Sequence, residues 1–258
     1  MKKFNYMYTV ILLFSFCFIS TASSQSFKIA IEEADTYPWS MNDGSGVDRM
    51  LIQKAADIIG AQVEFVSYPW KRCLASLQNN SVDGIVSASY KAKRIKIGAY
   101  PMTAEGTPDA SKRLHSSSYS LYVKNDSNLS WTGDNFINLT GKIGVPAGYS
   151  IIEKIKSKGA TITEVSSTEN LMKMLARGRI TGVVTLTAQG EYALSKDSAS
   201  ASKIKLVTPP LVEKPYYLML SHKLLQENAT VAKKLWDTIQ SIRDSDDYKK
   251  MYDTFMAK

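Results

Sequence analysis

Past residue 24 the chain alternates short β-rich runs with stretches whose apolar residues recur at helical spacing. Phe27 to Ile31 reads as a strand. Val47 to Ile59 then places Val47, Leu51, Ala55, Ile58 and Ile59 on one side of a helix, and Gly60 follows as its stop. Val63 to Val66 predicts a second strand, Trp70 to Leu77 a second helix and Gly84 to Ser87 a third strand. The order β-α-β-α-β describes one half of a parallel α/β sheet.

From Tyr119 the pattern begins again. Ser120 to Val123 is extended, and Lys142 to Val145, Thr161 to Val165 and Gly182 to Leu186 predict further strands. One helix is expected to start at Ser150 and another to run from Ser166 or Ser167 to Ala176. Ser150 with Glu153, and Ser166 with Glu169, fit the capping box, in which side chains satisfy free amides at a helix start. After Pro209-Pro210, Tyr216 to Leu220 is extended and two amphipathic helices end the chain. One carries Val231, Leu235, Ile239 and Ile242, the other Tyr248, Met251, Tyr252 and Phe255. These helices have no sheet of their own, so the economical arrangement packs them back on the first half. The chain then crosses twice between two lobes. The expected fold is α/β and two-lobed, each lobe a mostly parallel sheet flanked by helices, with lobe 1 formed by 25–118 plus 216–258 and lobe 2 by 119–215. A ligand cleft between them is expected.

The N-terminus changes the picture of compartment. Lys2 and Lys3 precede an apolar run from Val10 to Ile19, and Ala22 and Ser24 are spaced for cleavage. Residues 1–24 are thus predicted to be a secretory signal peptide, too short for a lasting membrane span, which places the mature chain in the periplasm. Of two cysteines, Cys17 leaves with the signal, and Cys73 is expected to be buried on a helix as a small hydrophobe. The formal net charge of +8 is spread along the chain. Without a continuous basic patch it excludes nucleic acid as the expected partner.

Catalytic and metal motifs are missing: no G-x-S-x-G elbow, no H-E-x-x-H, no paired CxxC and no phosphate loop occur. Neither a cofactor nor a metal is expected. The two histidines, His115 and His222, read as exposed residues in a loop and at a helix start. One constellation stands out. Tyr37, Pro38 and Trp39 follow the first strand, Tyr68, Pro69 and Trp70 the second, and Ser87, Ser89 and Arg94 the third. In an open parallel sheet, segments beyond the carboxyl ends of strands converge on the ligand.

At these residues the sequence resembles the periplasmic family 3 solute-binding proteins that serve polar amino-acid ABC importers. The segments FKIAIEEADTYPW, GVDRMLIQKAADIIG, VEFVSYPWKRCLASLQNNSVDGIVSASYKAKR, GKIGVPAGYS and YYLMLS carry the likeness in order along the mature chain. The resemblance implies that Tyr37 and Trp70 are aromatic walls against the ligand, with Trp39 a further wall. It implies that Ser87 and Ser89 offer hydroxyl and backbone contacts, and that Arg94 grips a ligand carboxylate by a bidentate pair. Tyr149 and Ser150 are implied to supply donors from the second lobe. The sequence also departs from the pattern. Val47, Arg49 and Met50 break the helix signature, and the stretch from Asp83 to Arg94 is one residue short. Leu186 or Thr187 stands where an aspartate would pair the ligand ammonium. Either Glu33 or Asp35 replaces that aspartate, or the ligand is not an ordinary α-amino acid, the reading preferred here.

The expectation is a non-enzymatic, monomeric binding protein that closes over a small polar or amphipathic ligand and presents it to an ABC permease or a membrane receptor. The alternatives are a sensory ligand-binding protein and a secreted dehydratase-like enzyme on the same fold, since function resides in the site rather than the fold.

Overall fold

Alternation in the first strand decides which side of the sheet each helix covers. In β1 (Ser26–Glu32), Phe27, Ile29 and Ile31 enter one hydrophobic cluster and Ala30 another, which puts Glu32 on the Ala30 side. Helix α1 (Val47–Ile58) covers the first face with Leu51, Ile52, Ala55 and Ala56. Strand β2 (Gln62–Tyr68) pairs with β1 in parallel, and α2 (Trp70–Gln78) buries Trp70, Cys73 and Leu77 on the opposite face. Cys73 is fully buried on its helix, and burial pushes its thiol up to about 12. Strand β3 (Gly84–Ser89) completes this parallel group.

The computed structural model describes residues 25–257; the expected signal peptide lies outside them. A connection with 3-10 turns at Ala92–Lys96 and Ala110–Lys112 leads to β4 (His115–Lys124) and a small hairpin, β5 (Ser130–Trp131) and β6 (Phe136–Ile137). The second half runs β7 (Lys142–Pro146), α3 (Ile152–Ser157), β8 (Thr161–Val165), α4 (Thr168–Ala176), β9 (Gly182–Leu186), α5 (Thr187–Ser195) and α6 (Ser198–Ala201). Strand β10 (Ile204–Leu220) then returns to the first half, followed by α7 (His222–Arg243) and α8 (Asp246–Met256). This is the two-lobed α/β architecture.

The two parallel groups are joined rather than separate. The strand order β2-β1-β3-β10-β4-β9-β7-β8 is one eight-stranded ladder, in which β4 and β10 pair antiparallel with each other and with β9 and β3. The final helices pack where the hydrophobic spacing requires, with Leu235, Trp236, Ile239 and Ile242 against the Phe27 face and α1. Truncating fully buried Leu235 to alanine removes about 2–5 kcal/mol of stability.

Local differences from the sequence reading have local causes. Ser150 does not cap a helix: α3 starts at Ile152 behind Ile151, which makes no side-chain cap bond, and the Ser150 hydroxyl is engaged by Ser89. The next helix is capped by Ser167, whose Oγ accepts from the Asn170 amide, rather than by Ser166. Pro209-Pro210 lies inside β10, where the pairing with β4 shifts register between Val207 and Val212. Among the described residues no helix is long and apolar enough to cross a membrane.

Candidate functional site

The N-terminus of α1 builds the first wall of the cleft. Its free amides are used locally: Val47 N–H donates to the Pro38 carbonyl and Asp48 N–H to that of Trp39. Gly46, at φ 124°, permits this approach, because a Cβ there would stand 2.4 Å from the Trp39 oxygen. The turn carrying Trp39 and Ser40 is thereby pinned to α1. Trp39 Nε1 donates to Ser117 Oγ at 3.1 Å.

Strand register supplies the next layer. Ser89 on β3 faces Tyr216 on β10, Tyr216 faces His115 on β4, and Tyr119 on β4 faces Leu186 on β9. These five residues line one cavity together with Glu32, Trp39, Trp70, Arg94 and Tyr149. Its outline to the open mouth, bulk solvent included, spans about 470 Å³.

Arg94 sits at the wall between the halves, only 5% exposed. Its Nη1 donates to the Ser89 carbonyl at 2.9 Å and its Nη2 to the Gly148 carbonyl at 3.1 Å, with the guanidinium 5.2 Å from the centre of the Trp70 ring. No acidic side chain among the described residues forms an ion pair with it. Two carbonyls and the Tyr100 hydroxyl still leave some of the five guanidinium N–H groups for an anion. Across the cavity, Glu32 Oε2 accepts from the Tyr149 hydroxyl at 2.8 Å. Burial pushes the Glu32 carboxyl up to about 8, opposed by the Tyr149 hydrogen bond and by the Arg94 charge. Lys214, whose Nζ donates to Ser150 Oγ at 3.3 Å, is held below its usual range by burial and by Arg94.

The floor is a polar assembly within the first half. Asp48 is fully buried; it accepts from Ser87 Oγ at 2.6 Å and pairs with His115 Nδ1 at 2.9 Å. Ser87 reaches it from a left-handed backbone, φ 57°, uncommon for a residue with a side chain. The His115 ring lies between Trp39, 3.7 Å away and near parallel, and Tyr216, 5.0 Å away and near parallel. Three buried side-chain atoms around this cavity have no partner among the described residues: Ser40 Oγ, Trp70 Nε1 and His115 Nε2. Buried polar groups without partners are costly unless a bound molecule completes them.

Of the eight residues named from sequence, Trp39, Trp70, Ser87, Ser89, Arg94, Tyr149 and Ser150 line this cavity. Tyr37 does not. Its ring stacks on Tyr192 of α5 at 4.6 Å, and its hydroxyl meets Met256 Sδ at 3.6 Å, on the outer rim. The carboxylates nominated to replace the missing aspartate are also elsewhere: Glu33 is exposed, and Asp35 is tied to Lys196 and to the Asn42 amide. Glu32, one residue earlier, takes the position in the cleft, and alternation from Ile31 is the signal that points to it. Leu186 lines the cavity at the aspartate's expected place. His115 is a correction too. It lies in β4 rather than in a loop and is 4% exposed, because the strand begins four residues before the sequence pattern becomes apolar at Tyr119. Among the described residues no cluster of three His, Cys, Asp or Glu could hold a metal.

The profile of the bacterial extracellular solute-binding proteins, family 3, matches residues 28–258. No curated protein matches the chain in sequence. Among solved structures, the GluR0 ligand-binding core of Nostoc punctiforme in complex with L-glutamate superposes with TM-score 0.70 at 18% identity, covering 89% of this chain and 98% of that one. An arginine third transport system periplasmic binding protein of Legionella pneumophila gives TM-score 0.71 at 17% identity, over 90% and 100% of the two chains. A histidine kinase sensor domain similar to periplasmic binding proteins gives 0.72 at 15%, over 90% and 96%. At these identities the likeness establishes the fold alone.

Proposed function

The chain belongs to the bacterial extracellular solute-binding proteins, family 3, and from that premise we propose that it captures a small amphipathic ligand bearing a carboxylate, an amino acid or a close relative. The ligand is held in the periplasm between two closing lobes and presented to an ABC importer. The observation that carries this reading is Arg94: a buried guanidinium that lines the cleft, has donors to spare and has no carboxylate of its own. Glu32 supplies the acidic partner for a ligand amine, in place of the second-lobe aspartate that Leu186 replaces. Trp39 and Trp70 cover the aliphatic part. Contacts from both halves favour the closed form when a ligand bridges them.

A second reading, delivery to a sensory receptor rather than a permease, is supported by the likeness to a kinase sensor domain. It uses the same cleft.

A thermal-shift screen with L-glutamine, L-glutamate, L-arginine, L-norleucine, succinate and putrescine tests the proposal. A ligand at 100 times its dissociation constant stabilises by about 2.7 kcal/mol. Arg94→Ala is expected to abolish the shift for every carboxylate. An undiminished shift in that variant removes Arg94 from the site, and conversion of a hit to product replaces binding by catalysis.

A further inference from the structure

The Arg94 and Glu32 poles do not account for every polar group that lines the cavity. Among the others, His115 is 4% exposed and Ser40 3% exposed, and both present an atom with no partner among the described residues, Nε2 and Oγ. The two are linked through Trp39, which stacks on the imidazole and directly precedes Ser40. We propose that His115 Nε2 and Ser40 Oγ form a second polar subsite that takes a neutral hydroxyl or carboxamide at the distal end of the ligand, and that His115 sets specificity there. This rests on the reading of Arg94 as the carboxylate anchor.

Geometry fixes His115 for that role. Nδ1 is committed to Asp48, which Ser87 also holds, so Nε2 is the ring nitrogen left for a ligand. Trp39 and Tyr216 clamp both faces and fix the direction of Nε2. Asp48 is a positioning residue, since it does not line the cavity itself. The chemical class follows from charge. The imidazole is already tied to its own carboxylate, and Ser40 is neutral, so this end offers no free counter-charge to an ionised group. Hydroxyls and carboxamides both donate and accept, as the serine hydroxyl does, and need no counter-ion. A site built to hydrogen-bond such a group discriminates strongly against an analogue lacking it, because its own buried atoms are then left unpaired.

Two measurements test this. The first is titration calorimetry with L-glutamine, L-glutamate and L-norleucine, which share one α-carboxylate and differ at the far end. Glutamine is expected to bind at least about tenfold tighter than either of the others. His115→Phe, which keeps the ring stack, and Ser40→Ala, which removes an atom that bonds nothing among the described residues, should both cut that preference to under about threefold. Ser40→Ala keeps the test valid where His115→Phe fails to fold around Asp48. A preference unchanged in the folded variants overturns the subsite.

The second is imidazole and guanidinium nitrogen NMR during glutamine titration. The chain has two histidines, and His222→Gln assigns them. Movement of His115 Nε2 together with Arg94 Nε supports both anchors. Movement of Arg94 Nε with His115 Nε2 stationary overturns the subsite and leaves the carboxylate site standing. Neither signal moving under any compound of the panel overturns both.

Discussion

The two sides of the cleft are built on different principles. On the side of β1–β3, Trp39 bonds Ser117, His115 bonds Asp48, Asp48 bonds Ser87 and Arg94 bonds the Ser89 carbonyl. Each is held by a neighbour from the same side or from the strand that leaves it, and Arg94 alone of these also donates across the gap, to the Gly148 carbonyl. On the side of β7–β9, Tyr149 and Ser150 spend their hydroxyls across the gap, on Glu32 and on Ser89. Nine of the lining residues precede β4 and three belong to the β7–β9 side, so the first half supplies most of the cavity wall and the second covers it. Such a division suits closure: a pre-organised face meets the ligand, and the cover gains its contacts only when the halves meet.

The largest effect should come from breaking the first face. Trp70→Ala removes an indole whose ring packs under the Arg94 guanidinium and whose Nε1 has no partner among the described residues. Calorimetry is expected to show binding of the panel's hit weakened by about tenfold to a hundredfold, from lost aromatic area and a less firmly held arginine. Melting followed by circular dichroism should show a lower Tm and a cooperative transition. A chain unfolded at 25 °C would make Trp70 a core residue rather than a wall.

A smaller effect separates the carboxylate that both sides share. The Glu32 carboxyl titrates near 8 in the fold, against an ordinary 4.5, because burial penalises its charge. Between these values the native state holds a proton that the unfolded chain has released, so stability is full below about pH 4.5 and declines as pH rises through 8. For a half-buried group the loss between pH 5 and 8 is expected to be about 1–3 kcal/mol. Glu32→Gln keeps the side chain neutral and should flatten that part of the curve in denaturant melts at pH 5, 6.5 and 8. An unchanged slope would assign the pH dependence elsewhere. A ligand amine docking at Glu32 should also expel its proton, visible as a buffer-dependent binding enthalpy near pH 7.

Much of this architecture was legible in the chain because it depends on period and order. Thr161 to Val165 and Gly182 to Leu186 occur with the bounds that β-rich clustering gives, and the Val231 to Ile242 stripe packs where its spacing demands. Residues flanked by polar neighbours were harder. His115 precedes three serines, so nothing in its surroundings signals a strand, and its burial comes from Tyr216 and Trp39, both distant in sequence. Helix α5 was missed because Thr187 to Ser195 has no apolar stripe. Its buried Gln189 and Gly190 instead serve the interface and the Tyr122 ring. Ser150 shows a local motif losing to a tertiary partner: the capping signature is present, but the Ser89 hydroxyl lies 2.8 Å away.

The smallest effect should come from the rim, where the two sides touch without lining the cavity. Tyr37 stacks on Tyr192 at 4.6 Å with the planes 4° apart; Lys196 lies 4.0 Å from the Tyr192 ring centre and 3.4 Å from Asp35, and Gln189 Nε2 donates to the Asp35 carbonyl. These contacts exist only when the halves are together, so they favour closure whatever the ligand. A half-buried aromatic pair contributes about 0.5–1.5 kcal/mol, so Tyr192→Ala should weaken binding of the panel's hit by roughly twofold to tenfold. Rank order among ligands should stay the same, because no lining residue has changed. Small-angle scattering should show a larger fraction of open molecules at subsaturating ligand. If Tyr192→Ala instead changed which ligand is preferred, the rim would belong to the binding face, and the division between a recognising half and a covering half would fail at that point.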